Sequence, residues 1–207
     1  MINSNIFYKF MAGFYDLIDV IYFRNYKSSP RRVVFEEIKD KDKILDMCTG
    51  TATNAIRIAQ KNPYAKVVGI DLSKDMLRVA REKIKRKRMS NIRLYCMDAT
   101  RLPFKEKYFD KVLLSLVLHE IDEDLAARIL MEAKRVLKED GELIITEWER
   151  STELFKKVLF FPIELMEPQH YKCFMKKDLH GYFASFGLKV VQERHCDYSR
   201  VLLLKKV

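Results

Sequence analysis

The residues best able to do chemistry in this 207-residue chain lie together, in Ile44-Leu45-Asp46-Met47-Cys48-Thr49-Gly50-Thr51-Ala52-Thr53-Asn54. An apolar run ends on an acid, a turn of small side chains follows, and a helix-forming stretch begins. Small side chains let a ligand lie against the backbone, and a helix start offers unpaired N–H groups to an anion. Asp71 ends the next apolar run, 21 residues after Gly50. A carboxylate at the end of a second strand, at that distance from a glycine turn, suits ribose hydroxyls. The pattern points to a nucleoside cofactor at the carboxyl ends of parallel strands. A tight strand-to-helix turn with a capping aspartate is the ligand-free alternative. The dinucleotide fingerprint G-x-G-x-x-G is absent, which counts against NAD and FAD.

Such residues need a frame that presents them. After about residue 40 the chain alternates short β-branched runs with amphipathic stretches. Ile44-Leu45 reads as a first strand, 53–60 as the helix behind it, and 66–70 as a second strand. Ser73 is placed to cap the next helix, with Asp75 in its first turn, where the dipole favours an acid. Met76, Leu77, Ala80 and Ile84 then recur at helical spacing. Strands are expected over 92–97 and 112–118, the latter continuously apolar, as a central parallel strand covered on both faces would be. A helix over 122–137, a turn at Asp140-Gly141 and a strand over 142–148 follow. Residues 188–194 and 200–204 lie too close for a helical crossover and predict an antiparallel hairpin. Five strand–helix units closed by a hairpin predict an α/β fold: a Rossmann-like doubly wound sheet, mostly parallel, with an antiparallel carboxyl-terminal edge hairpin and helices on both faces. The chain reads as one domain in four parts: a helical lid (1–39), a cofactor-binding core (40–148), a helical insertion over the acceptor (149–187) and the closing hairpin (188–207).

Asp46 through Ala52 resembles motif I of class I S-adenosylmethionine (SAM)-dependent methyltransferases, whose usual form is D-x-G/C-x-G-x-G. Gly69 through Leu77 is similar to their second motif, Asp98 through Phe104 to their third-strand signature, and Phe109 through Val112 to the start of their fourth strand. Arg135 through Leu143 resembles the turn into their fifth strand. The order and spacing hold from about residue 40 to 148. Tyr15-Asp16-Leu17 further resembles the branch that includes the ubiquinone/menaquinone-biosynthesis C-methyltransferases. The resemblance implies SAM as the cofactor, with Asp46 in its site, Gly50 and Thr51 at its methionine part, Asp71 on the ribose and Leu72 on the adenine. It places Asp98 on the adenine amino group with Ala99 beside it, and Ser115 along the sulfonium and methionine region. Cys48 and Ala52 stand where glycines are usual; both are small, so a tighter turn is expected with the site kept.

Methyl transfer from a sulfonium needs mainly alignment, and a base only if the acceptor must lose a proton. The candidates are His119 and Glu120 past the fourth strand, Glu147 at the end of the fifth, and Tyr15 in the lid. The bland alternative for His119, Glu120 and Glu147 is a polar residue in a surface loop. His170, Cys173, His180, His195 and Cys196 fall within 27 residues, but their spacings match no zinc module, so no metal is expected.

Four cysteines without a CxxC pair fit a reducing compartment. With no targeting segment and no run long enough to span a bilayer, the chain reads as cytoplasmic and not membrane-inserted. The net charge of +10 invites nucleic acid as a partner, yet nine Lys or Arg against two acids between Lys74 and Arg93 supply +7 of it. The densest part of that run, Lys83 to Arg88, ends a helix about 20 Å from its cofactor end, so a nucleic-acid partner is not expected. Of 24 aromatics, nine lie within 1–39 and eight within 149–187, which suits an apolar acceptor pocket. The stripe Phe10, Phe14 and Tyr15, together with Phe160, Phe161 and Met166, is expected to close over it. The leading function is methylation of a small, partly apolar acceptor, such as a quinone-precursor ring or a lipid-like molecule. An RNA methyltransferase and a non-catalytic nucleoside-binding module are the competing readings. The acceptor atom, carbon, nitrogen, oxygen or sulfur, stays open, as does the oligomeric state.

Overall fold

The computed structural model describes residues 29–151, 153–166 and 169–207, apart from the side chains at 163, 166 and 169. Ile44 and Leu45, neighbours in β1 (Lys43–Met47), are both fully buried, because successive strand residues point to opposite faces and both faces are covered. The same division repeats in β4 (Phe109–Ser115), β5 (Leu137–Trp148) and β7 (Ser199–Lys206). Leu45, Val112, Leu114, Leu143, Ile145, Leu202 and Leu204 join one core; Ile44, Leu113, Ile144, Val201 and Leu203 join the other. With β2 (Lys66–Asp71), β3 (Ile92–Cys96) and β6 (Leu188–His195) they form a seven-stranded sheet of order β3-β2-β1-β4-β5-β7-β6. Neighbours from β3 to β5 pair in parallel, and β7 pairs antiparallel with β5 and β6. This is the expected doubly wound sheet with an antiparallel edge hairpin. The strand order reverses between β1 and β4, where such folds open their ligand crevice.

The helices are α1 (Pro30–Glu36), α2 (Thr53–Lys61), α3 (Lys74–Arg86), α4 (Glu123–Val136), α5 (Leu154–Met166), α6 (Gln169–Phe174) and α7 (Leu179–Ala184). Ser73 caps α3 by accepting from the Met76 amide, with Asp75 in the first turn, and Asp122 caps α4 through the Leu125 amide.

Three expectations about elements need correction. The link from β3 to β4, residues 97–108, contains no helix, so the third strand–helix unit is absent. Asp98 Oδ1 accepts from both the amide and the hydroxyl of Thr100, closing a turn, and Pro103 has no amide to continue a helix. Instead α4 holds this loop: Arg135 donates to the carbonyls of Phe104 and Leu102 at 2.9 Å, and Glu132 accepts from the Leu102 amide at 2.7 Å. Second, β4 ends at Ser115, because Leu116 takes a left-handed φ of 58° and turns the remaining apolar residues off the strand. Third, β5 begins at Leu137, and the turn expected at Asp140-Gly141 is a bulge where Phe109 pairs with Leu137 but Lys111 pairs with Glu142.

Candidate functional site

Parallel register brings the ends of adjacent strands level. Asp71 of β2 lies opposite Cys96 of β3, Met47 of β1 opposite Ile70 and Leu114, and Ser115 of β4 opposite Thr146 of β5. Four strand ends about 4.8 Å apart make a ledge roughly 14 Å long. Along it run Asp98 and Ala99 beyond β3, Asp71 and Leu72 at β2, Asp46, Gly50 and Thr51 at β1, and Ser115 at β4. A nucleoside joined to an amino-acid tail needs a ledge of that length.

The turn after β1 carries its geometry in the backbone. Cys48, Gly50 and Ala52 all hold left-handed φ values, 55°, 55° and 58°. These are the three positions where the resembling motif has glycine or a small residue, so two side chains occupy a conformation that costs a non-glycine residue about 1–2 kcal/mol. The turn is held from outside. The Thr49 amide donates to the Ile70 carbonyl at 2.8 Å, and the Gly50 amide donates to Asp71 Oδ2 at 2.8 Å. Asp71 Oδ1 accepts from the Ser73 amide at 2.8 Å, so one carboxylate ties the turn to the start of α3. Each carboxylate oxygen has a further lone pair for a hydroxyl donor.

Asp46 is buried, 2% exposed, and accepts from the Thr49 hydroxyl at 2.5 Å. Burial pushes its pKa up to about 6; the Thr49 bond pulls the other way, and the charge of Asp71 adds to the rise. Burial likewise drives the Cys48 thiol up to about 12, with Asp71, Asp46, Glu120 and Asp98 contributing negative charge. Cys48 is therefore no nucleophile at neutral pH. Asp98, in the exposed loop, is lowered by the two Thr100 donors. Leu72 is 69% exposed above the ledge, and Ala99 is buried beside Asp98.

Two features of the ledge gave no clear signal in the sequence. Arg31 of α1 is buried and donates through Nε to Asn54 Oδ1 at 3.2 Å, and Asn54 Nδ2 donates to Ser115 Oγ at 3.1 Å. Helix α1 is thereby tied to the end of β4; Ser29-Pro30, a cap followed by proline at the first helical position, is its local sign. Lys83 donates to the Thr51 hydroxyl at 2.9 Å. One member of the basic run thus reaches the turn after β1, which corrects the expectation that the whole run points away.

Beyond β4 the chain brings two of the candidate bases together. Glu147 is fully buried, and its Oε1 accepts from the amides of Leu118 at 2.8 Å and Val117 at 3.3 Å. Its Oε2 lies 2.5 Å from Nδ1 of His119, which is 1% exposed. These two are not the surface polar residues of the bland reading. Glu120 is exposed, with Oε1 4.0 Å from His119 Nε2. Tyr15, Phe10 and Phe14 lie outside the described residues, as does the side chain of Met166. Trp148, Phe160, Tyr171 and Tyr198 form an aromatic cluster, with Tyr171 meeting the His119 ring edge-on at 5.9 Å. Phe161 is exposed on α5 and lines a groove of about 570 Å³ together with Arg150, Lys157, Val158 and Phe160.

The histidine–cysteine set weighed for a metal is not gathered. Glu149, Glu193 and His195 converge instead, with ligand atoms within 4.8 Å of one another. Arg200 already supplies a cation there, 3.2 Å from Glu193 and 3.7 Å from Glu149, so an ion-pair network accounts for the cluster.

The residues on the ledge fit a nucleoside cofactor with a cationic tail. A Cβ built on Gly50 would meet nothing within 4 Å, so the turn opens onto space, and the buried Asp46 would ionise more readily beside a positive charge. Gly50→Ala separates a binding turn from a merely structural one. Its strain should cost about 1–2 kcal/mol of stability. The added methyl should weaken binding of a nucleoside held against the backbone at least about tenfold. Calorimetry beside a thermal melt reads both; a lowered melting temperature with unchanged affinity would show that the turn serves the fold alone.

Residues 44–141 match the methyltransferase domain family. A demethylmenaquinone methyltransferase of Staphylococcus saprophyticus is 34% identical over 170 residues, covering 80% of this chain and 71% of that protein. One of Staphylococcus carnosus is 33% identical over 174 residues, covering 83% and 70%. Among solved structures, a SAM-dependent methyltransferase from Aquifex aeolicus superposes with a TM-score of 0.74 at 19% identity over 98% of both chains.

Proposed function

The chain belongs to the class I SAM-dependent methyltransferases, in the branch of the ubiquinone/menaquinone-biosynthesis enzymes, and from that premise we propose that its acceptor is a hydroquinone-type ring. SAM, when bound, supplies a methyl group already activated on a sulfonium. The protein's own part is then to hold and align. We assign Leu72, Asp98 and Ala99 to the adenine, Asp71 to the ribose, and Asp46, Gly50, Thr51 and Ser115 to the methionine end.

The observation that carries the acceptor class is the apolar character of the segment after β5. On α5, Leu154, Phe155, Val158 and Leu165 are each about two-thirds exposed or more, and exposed apolar side chains gathered on one element mark an interaction surface. The aromatic cluster of Trp148, Phe160, Tyr171 and Tyr198 lies at its base. An apolar ring suits such a surface, and the relatives' printed acceptor is a quinone. Residues 149–187 form the acceptor cover in this reading; most of the other segment expected to cover it, 1–39, lies outside the described residues. Closure over the ledge would keep water from the reacting carbon.

The test is transfer of labelled methyl from SAM to reduced demethylmenaquinone with a short side chain, run beside phospholipid and bulk RNA. Label is expected in the quinol alone. Label in RNA or lipid, with none in the quinol, would overturn the acceptor class and leave the family untouched.

A further inference from the structure

We propose that His119 is the catalytic base that takes the acceptor's hydroxyl proton, and that Glu147 is the positioning residue that makes it one. The inference rests on the hydroquinone reading above, because only an acceptor with an ionisable hydroxyl needs such a base.

Glu147 carries the argument. A buried carboxylate is costly unless it is hydrogen-bonded and faces a positive or proton-donating group. Here one oxygen takes two backbone amides from the 117–118 turn, and the other takes Nδ1 of His119. The amides hold the carboxylate still, so the imidazole is fixed in turn. A carboxylate at Nδ1 places the neutral ring's proton on that nitrogen and leaves the lone pair on Nε2. The same carboxylate stabilises the imidazolium that forms when Nε2 accepts a proton, the division of labour found wherever an acid orients a histidine base. A glutamine would satisfy the same two backbone amides, so the fold alone does not require an ionisable group at this depth.

Position agrees with the role. His119 stands four residues beyond Ser115, and Glu147 one residue beyond Thr146, which pairs with Ser115. The left-handed Leu116 lets the chain fold back so that the 117–119 turn reaches Glu147. Tyr171 edge-on at 5.9 Å and Trp148 at 6.5 Å enclose the imidazole in aromatic side chains.

The step balances. The hydroxyl proton passes to Nε2 and leaves the ring anionic. An electron pair from the ring carbon beside that oxygen forms the new bond to the methyl carbon, and the methyl–sulfur bonding pair stays on sulfur. The ring carbon then loses its proton as the oxygen regains one. The net product is one proton, which leaves through the imidazole.

His119→Asn keeps an N–H donor toward Glu147 but has no base. Its kcat is expected to fall about 100- to 10,000-fold, the usual contribution of a positioned base. SAM affinity and melting temperature should stay near wild type. The residual rate should climb with pH as the quinol ionises unaided, flattening the acid limb of the wild-type profile. Glu147→Gln should also lose kcat while its amide oxygen retains the backbone bonds. The second readout needs no acceptor: nitrogen NMR of wild type with labelled histidine should show the proton on Nδ1, and Glu147→Gln should shift the His119 titration downward. A variant within threefold of wild-type kcat across the pH range would overturn the proposal, as would a proton resident on Nε2. If wild type fails to methylate the quinol, the acceptor reading falls, while the NMR result still judges the pair.

Discussion

Asp71→Ala should weaken SAM binding by about 1.5–3 kcal/mol for each charge-assisted hydrogen bond lost, or roughly 10- to 150-fold. The residue also anchors the amides of Gly50 and Ser73. A loss of affinity could therefore come from a loosened turn and not from a missing ribose contact. A cofactor analogue lacking one ribose hydroxyl resolves this. Against wild type the analogue should bind less tightly than SAM; against Asp71→Ala the two should bind alike. If the analogue loses as much affinity on the variant as on wild type, the carboxylate braces the turn and does not touch the ribose.

Asp46 should make both stability and cofactor affinity depend on pH in one window. Its folded pKa of about 6 lies above the ordinary 3.8, so the native state holds this proton more tightly than the unfolded chain does. The stabilisation is fully present below pH 3.8 and is lost as pH rises through 6. About two pKa units correspond to about 3 kcal/mol. Other carboxylates titrate in the same range, so the useful quantity is the difference in unfolding free energy between wild type and Asp46→Asn. That difference should shift by about 2–3 kcal/mol in favour of the variant between pH 4 and pH 7.5. A cationic tail bound nearby favours the ionised form, so SAM affinity of wild type should increase with pH through the same window, with proton release on binding. A difference that stays flat with pH would mean that Asp46 ionises as an exposed aspartate does.

The ledge was legible in the sequence because its signals are local. Asp46 and Asp71 each end an apolar run, and the small residues from Cys48 to Ala52 announce the turn between strand and helix. The left-handed backbone at Cys48 and Ala52 was not legible, since neither residue favours it and only outside bonds to Asp71 and Ile70 enforce it. The pairing of His119 with Glu147 depends on β4 and β5 lying in register across 28 residues, which no periodicity reports. His119 and Glu147 were recognisable singly as residues at strand ends, and only the sheet makes them a pair. The missing helix between β3 and β4 was misread for a related reason. The loop's backbone partners, Glu132 and Arg135, lie on α4, about thirty residues downstream.

The acids along the ledge have a bearing on turnover. The chain carries +10 overall, yet Asp98, Asp71, Asp46 and Glu120 concentrate negative charge at the mouth strongly enough to weigh on the Cys48 thiol. A cationic ligand would be drawn to these acids more than to the basic remainder of the chain. Methyl transfer removes the sulfonium charge and with it the attraction. The neutral thioether left behind would sit in the same field with less to hold it.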